Sequence, residues 1–154
     1  MTAAPVEGTV TIFRPRRARQ VIYPSAALIA LAMVGGAVIA PSGGRGAWGL
    51  GSRLALVATA AVVVAFLHRL ADVRVVAGET HVDVVNIVHR RRLEYAEVVG
   101  VRLLRDDPWM MLDLSDGEPL AAMGVQQSDG EYAREQTARF ARLVAEHSPL
   151  NHPE

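Results

Sequence analysis

The chain has 154 residues, about the size of one domain, and no cysteine or lysine, so disulfides, thiolate nucleophiles, cysteine-based metal sites and Schiff-base lysines are all excluded. Hydrophobic residues make up 51% and charged residues 21%, which excludes a disordered tail or a low-complexity polymer. The formal net charge of zero hides a division: residues 1–71 hold seven Arg against Glu7, a net +6, and residues 72–154 hold nine Arg against fifteen acids, a net −6.

Residues 1–20 read as a basic cytoplasmic segment carrying Arg14, Arg16, Arg17 and Arg19. Residues 21–40 (VIYPSAALIALAMVGGAVIA) follow without a charge. Twenty helical residues span about 30 Å, the thickness of a bilayer's hydrocarbon core. Pro24 falls in the first turn of that expected helix, and Tyr23 sits where an interfacial aromatic would. The Arg-rich start and the apolar run also fit a secretory signal. Pro41 would then stand at the first mature position, so the segment is read as retained.

Residues 47–67 (AWGLGSRLALVATAAVVVAFL) form a second apolar stretch, interrupted by Arg53; after it Thr59 is the one side chain able to hydrogen-bond. A helix without a polar face needs a large core or lipid, and this chain is too short to supply two such helices with a core. Arg53 lies near the end of the span, where it can snorkel to headgroups or meet a polar partner within the membrane. The connector holds a formal G-x-G-x-x-G at Gly44, Gly46 and Gly49, with Asp72 further on. A dinucleotide fold would need a short strand before those glycines and an amphipathic helix after them, so the motif reads as a turn between membrane helices. Arginines flank the outer ends of both helices, with Arg69 and Arg74 after the second, and only Arg45 and Arg53 lie at the connector. The positive-inside rule therefore puts both termini in the cytoplasm of a two-pass cell-membrane protein, with the hairpin at residues 21–69.

From Asp72 the hydrophobic period changes to two. Strands are expected at residues 73–76, 81–85, 87–95, 98–104, 109–114 and 120–125, with turns at Ala77-Gly78-Glu79 and Ser115-Asp116-Gly117-Glu118. A helix over 129–147 closes the domain 72–147, and residues 148–154 form a tail. Ser128 and Glu131 suit a capping box, while Tyr132, Gln136, Phe140, Leu143 and His147 make one stripe to lay on the sheet. The fold class is thus α+β: a transmembrane helical hairpin, then a small bent antiparallel sheet capped by one C-terminal helix.

The two apolar passes, the run Asn86-Ile87-Val88-His89-Arg90-Arg91-Arg92-Leu93-Glu94-Tyr95 and the hairpin Leu112-Asp113-Leu114-Ser115-Asp116-Gly117 together resemble the small actinobacterial membrane-anchored PH-like proteins of the low-molecular-weight protein antigen 6 type. The resemblance spans most of residues 20–147. It implies a bent sheet or partial barrel plugged at one end by the helix. A full PH domain has seven strands, against about six read here. Lipid-binding PH domains hold phosphoinositide phosphates with bases in the first hairpin. The corresponding loop is read here as Ala77-Gly78-Glu79-Thr80, which offers an acid and no base, so phosphoinositide binding is not implied.

His89-Arg90-Arg91-Arg92 is the one basic cluster of the acidic half, and Arg90, Arg91 and Arg92 are the candidate interaction patch. Its rival reading is a charged strand that deters unwanted pairing, neutralised by Asp83, Glu94 and Glu97. The histidines show no metal-ligand spacing, and no serine lies in a nucleophile motif. No catalytic residue, cofactor site or metal site is assigned. A −6 domain without aromatic–basic interleaving does not suit nucleic acid. The expected function is a non-catalytic interaction module that presents a protein-binding domain at the inner membrane face. The alternatives are an anionic-headgroup sensor through Arg90–Arg92, and an accessory subunit of a larger complex joined through Arg53.

Overall fold

In the computed structural model, residues 10–44 and 46–148 are described; Glu7, Arg45 and His152 fall outside them. The chain divides into two compact units, Arg17–Ala71 and the pair of segments Met1–Arg16 and Asp72–Glu154.

The first unit is a helical hairpin. Helix α1 spans Arg16–Ile39 and α2 spans Leu50–Ala71. Both are long and apolar enough to cross a membrane, and only 11% of the α1 span and 6% of the α2 span is buried. The packed face is made of small residues: Ala37 and Ala60 are buried, while Leu31, Val38 and Val62 are exposed. Helix α1 starts earlier than the apolar run alone suggests. Pro24 is therefore inside the helix rather than in its first turn, and the Gln20 carbonyl lacks its usual i+4 donor. Helix α2 is likewise displaced, from the expected 47–67 to Leu50–Ala71. In the connector, Gly44 and Gly46 take φ values of 85° and 90°, and Trp48 N–H donates to Pro41 O at 2.8 Å. A helix precedes these glycines, as the hairpin reading requires.

The second unit has seven described strands in two antiparallel sheets. Strands β1 (Thr11–Phe13), β2 (Arg74–Ala77), β3 (His81–Val85) and β4 (Arg90–Glu94) form one in sequential order. Strands β5 (Val98–Arg102), β6 (Trp109–Leu114) and β7 (Pro119–Gln126) form the other. Period-two alternation drives both, turning Val75, Val82, Val84, Leu93, Met110, Leu112 and Leu114 into one core. Helix α3 (Glu131–His147) closes it with Ala133, Phe140 and Val144.

Strand β1 corrects the expected boundaries. Residues 1–20 were read as a basic segment outside the domain, yet Phe13 is fully buried, pairs with Val75, and meets the Phe140 ring edge-on at 5.5 Å. The seventh strand thus comes from before the helices. The first hairpin, β1–β2, is not closed by residues 77–80; that turn joins β2 to β3, and between β1 and β2 the chain makes the entire helical excursion.

Two further devices bring the sheets together. Between Trp109↔Gln126 and Met110↔Ala122 the register slips, leaving residues 123–125 as a bulge in β7. Gly124 in that bulge approaches β2 so closely that a Cβ would lie 2.6 Å from Val75 N. Asn86 spans the same bulge with its side chain: Nδ2 donates to Ala121 O at 2.7 Å, and Oδ1 accepts from Met123 N–H at 3.1 Å. An amide side chain so replaces a missing strand partner.

The start of α3 also differs from expectation. Gly130, with φ 62°, is the cap, and Ser128 sits inside a 3-10 turn (Gln127–Asp129) without capping the helix. Asp129 is buried, and its Oδ2 accepts Arg16 N–H at 2.8 Å, satisfying the first amide of α1. The Arg16 guanidinium lies 3.9 Å above the Tyr132 ring.

Candidate functional site

The predicted patch resolves into separate contacts. Alternation along β4 sends Arg90 and Arg92 to the outer face and Leu93 to the core, with Arg91 opposite Val84. The expected strand over 87–95 is shorter, because residues 86–89 form its turn and Tyr95 begins a 3-10 turn. Arg92 faces Asp83 across the ladder and donates through Nε and Nη2 to its two oxygens at 3.0 and 3.1 Å. Arg90 Nη2 stands 3.5 Å from the same carboxylate, and His81 Nε2 at 3.8 Å. The Arg92 hydrogen bonds hold the Asp83 carboxyl below its usual 3.8, against the opposing effect of burial, and Arg92 is raised in return. Arg91 instead pairs with Asp116 of the β6–β7 turn at 3.0 Å. Asp116 is itself held low, first by the Glu118 backbone N–H and then by Arg91. Arg90 and Arg92 therefore share one acid, and Arg91 belongs to a different contact on the other side of the strand.

Arg53 is satisfied within the hairpin. Its Nη1 donates to Ala37 O at 2.7 Å and Val38 O at 3.1 Å, and Nη2 donates to Ala40 O. Ala37 and Val38 lie in the last turn of α1 and Ala40 just past it, so these carbonyls have no i+4 partner within the helix, and the cation lies at the negative end of the helix dipole. No second chain is needed to pair it.

The feature that single-residue reasoning misses is a groove of about 320 Å³ between the edge strand β5 and α3. Ala96, Val98, Val99 and Val101 line one wall and Ala141, Val144, Ala145 and Ser148 the other, with no charged side chain among them. Val99 is the extra residue of a bulge between Val98 and Gly100 and is 62% exposed. Tyr95 donates its hydroxyl to Gly78 O at 2.6 Å and stacks on the His147 ring at 4.5 Å. Burial raises the Tyr95 phenol. Small apolar residues spread over two distant segments give no local motif, so the groove has no signature in the sequence. Among the described residues, no group of three or more acids and histidines converges as a metal site would require.

Comparison with known proteins adds a family. The stretch 72–143 matches the family described as bacterial PH domain, beginning just after the helices and ending within α3. The domain that follows the helices is thus PH-like. The whole chain is also similar to uncharacterised proteins of Mycobacterium bovis and Mycobacterium tuberculosis, 29% identical over 150 residues and covering 97% of both chains. No solved structure matches. The expected fold class stands: two long apolar helices, then antiparallel sheets with a C-terminal helix. PH domains are in general interaction modules rather than catalysts. In this PH domain β1 precedes the stretch that matches the family, so the folded unit extends beyond the matched residues.

Proposed function

We propose that the chain is a membrane-anchored interaction module, in which the helical hairpin spans the cell membrane with both termini cytoplasmic and the PH domain holds a protein partner beneath the bilayer. The β5–α3 groove carries the reading. An edge strand presents unpaired backbone groups, and the adjoining wall of small apolar side chains offers a seat for alternate side chains of an extended peptide added as a further strand. The anchoring part is supported by α1 and α2, whose broad apolar surfaces would stand bare in water, and by the arginines flanking their outer ends. The internal satisfaction of Arg53 argues against a role for it as the joint to another membrane subunit.

The test is copurification from detergent extracts with a tag at Glu154, comparing the unmodified chain with Val99→Glu and Ala145→Glu. A specific partner should be recovered and be lost with both substitutions. Recovery of no partner, or of one indifferent to the groove, would count against the reading.

A further inference from the structure

Register locates the β3–β4 turn. Phe13 pairs with Val75, Arg74 with Val85, and Val85 with Arg90, so residues 86–89 lie at the end of the sheet where β1 finishes and β2 begins. That is also the end at which the chain leaves for the helices, through Arg14 and Pro15 on one side and Asp72 and Val73 on the other.

The turn is braced at its base and apolar at its tip. Asn86 N–H donates to His89 O at 2.9 Å, and the Asn86 side chain is fastened to β7 at both of its polar atoms. Above that base Val88 is 77% exposed, the highest value among the described large apolar side chains of this unit. His89 and Arg90 follow it, both exposed. Arg74 stands two strands away from Arg90, about 10 Å across the same outer face. The acids nearby are already engaged: Asp72 contacts Arg74, Asp83 is held by Arg92, and Asp116 by Arg91. A rigid apolar tip with cations behind it matches the layered chemistry of an anionic bilayer surface, where an aliphatic side chain enters the headgroup–acyl boundary and guanidinium groups meet phosphate.

We propose that the 86–89 turn is a third membrane contact, with Val88 seated in the lipid interface and Arg90 and Arg74 on anionic headgroups. This rests on the reading that α1 and α2 cross the membrane. It differs from a patch made of Arg90–Arg92 in its geometry. Arg91 leaves on the other face toward Asp116, and Arg92 is bound through two hydrogen bonds to Asp83. Arg74, ion-paired with Asp72, and Arg90, 3.5 Å from Asp83, instead share the outer face at the turn's end of the sheet.

The cysteine-free chain allows clean spin labelling of the full-length protein. Val88→Cys, Leu104→Cys in the β5–β6 loop and Leu31→Cys on α1 would each be labelled and reconstituted into phosphatidylcholine vesicles with and without phosphatidylglycerol. Collisions with a neutral aqueous nickel chelate and with oxygen then report depth. With phosphatidylglycerol, the label at 88 should meet nickel about three-fold less than that at 104. Arg74→Gln with Arg90→Gln should return most of that access. Full aqueous access at 88 while 31 is lipid-shielded would overturn this proposal alone. Shielding at 88 indifferent to lipid charge and to both substitutions would also overturn it, and would indicate a protein cover. Aqueous access at 31 would overturn the membrane reading itself.

Discussion

Asp83 shows how a single position converts a run of like charges into structure. Three arginines in succession would repel one another, but alternation separates Arg91 from the other two and the ladder sets Asp83 opposite Arg92. Because the folded carboxyl sits below its usual 3.8, its contribution to stability is complete above that value and is lost as pH falls through the lowered one. Asp83→Asn should therefore be less stable than the parent at pH 7 and should lose less further stability between pH 7 and pH 3. Denaturation midpoints at the two pH values check this, and equal losses in the two proteins would contradict it. The pairing is partly legible in the sequence, where Asp83 is among the candidate neutralising acids and the period of two along a strand puts Arg90 and Arg92 on one face. The partner of Arg91 was not legible, because Asp116 lies 25 positions away in another sheet. Glu94 and Glu97 instead make a local contact, Glu97 accepting the Glu94 N–H.

At the scale of elements, period and turn chemistry found the apolar helices, six of the strands and the C-terminal helix, because each carries its signal within a dozen residues. They failed where the signal is short or distant. Strand β1 has three residues, too few to show alternation, and its partner lies some sixty positions on, beyond the helices. The Ser128–Glu131 pattern is a valid capping box on paper, yet Gly130 reaches the positive φ that the chain reversal needs and starts α3 two residues later. The Gly124 bulge and the Asn86 bridge exist only because two sheets meet there. A direct consequence concerns dissection. A fragment of residues 72–154 lacks Phe13 and leaves β2 without its neighbour, removing a fully buried aromatic worth about 3–5 kcal/mol. A fusion of residues 10–15 through a flexible linker to 72–148 should fold cooperatively and melt well above the shorter fragment. Equal melting temperatures would contradict a structural role for β1.

At the scale of the whole molecule, the helical hairpin is an insertion between the first two strands of a PH fold. Here the chain enters the hairpin from β1 and returns into β2, so two adjacent strands carry the connection. Seven of the sixteen arginines lie in residues 1–71 beside a single acid, and fifteen of the sixteen acids lie in residues 72–154.

If the hairpin crosses the membrane with the PH-like domain on the inner side, single-cysteine accessibility in intact cells will show it. The chain offers no background thiol, so Gly43→Cys in the connector and Glu131→Cys at the start of α3 can each be probed with a membrane-impermeant maleimide before and after permeabilisation. Position 43 should react in intact cells and position 131 only after they are opened. Reaction at 131 in intact cells, or protection of 43 until permeabilisation, would contradict it.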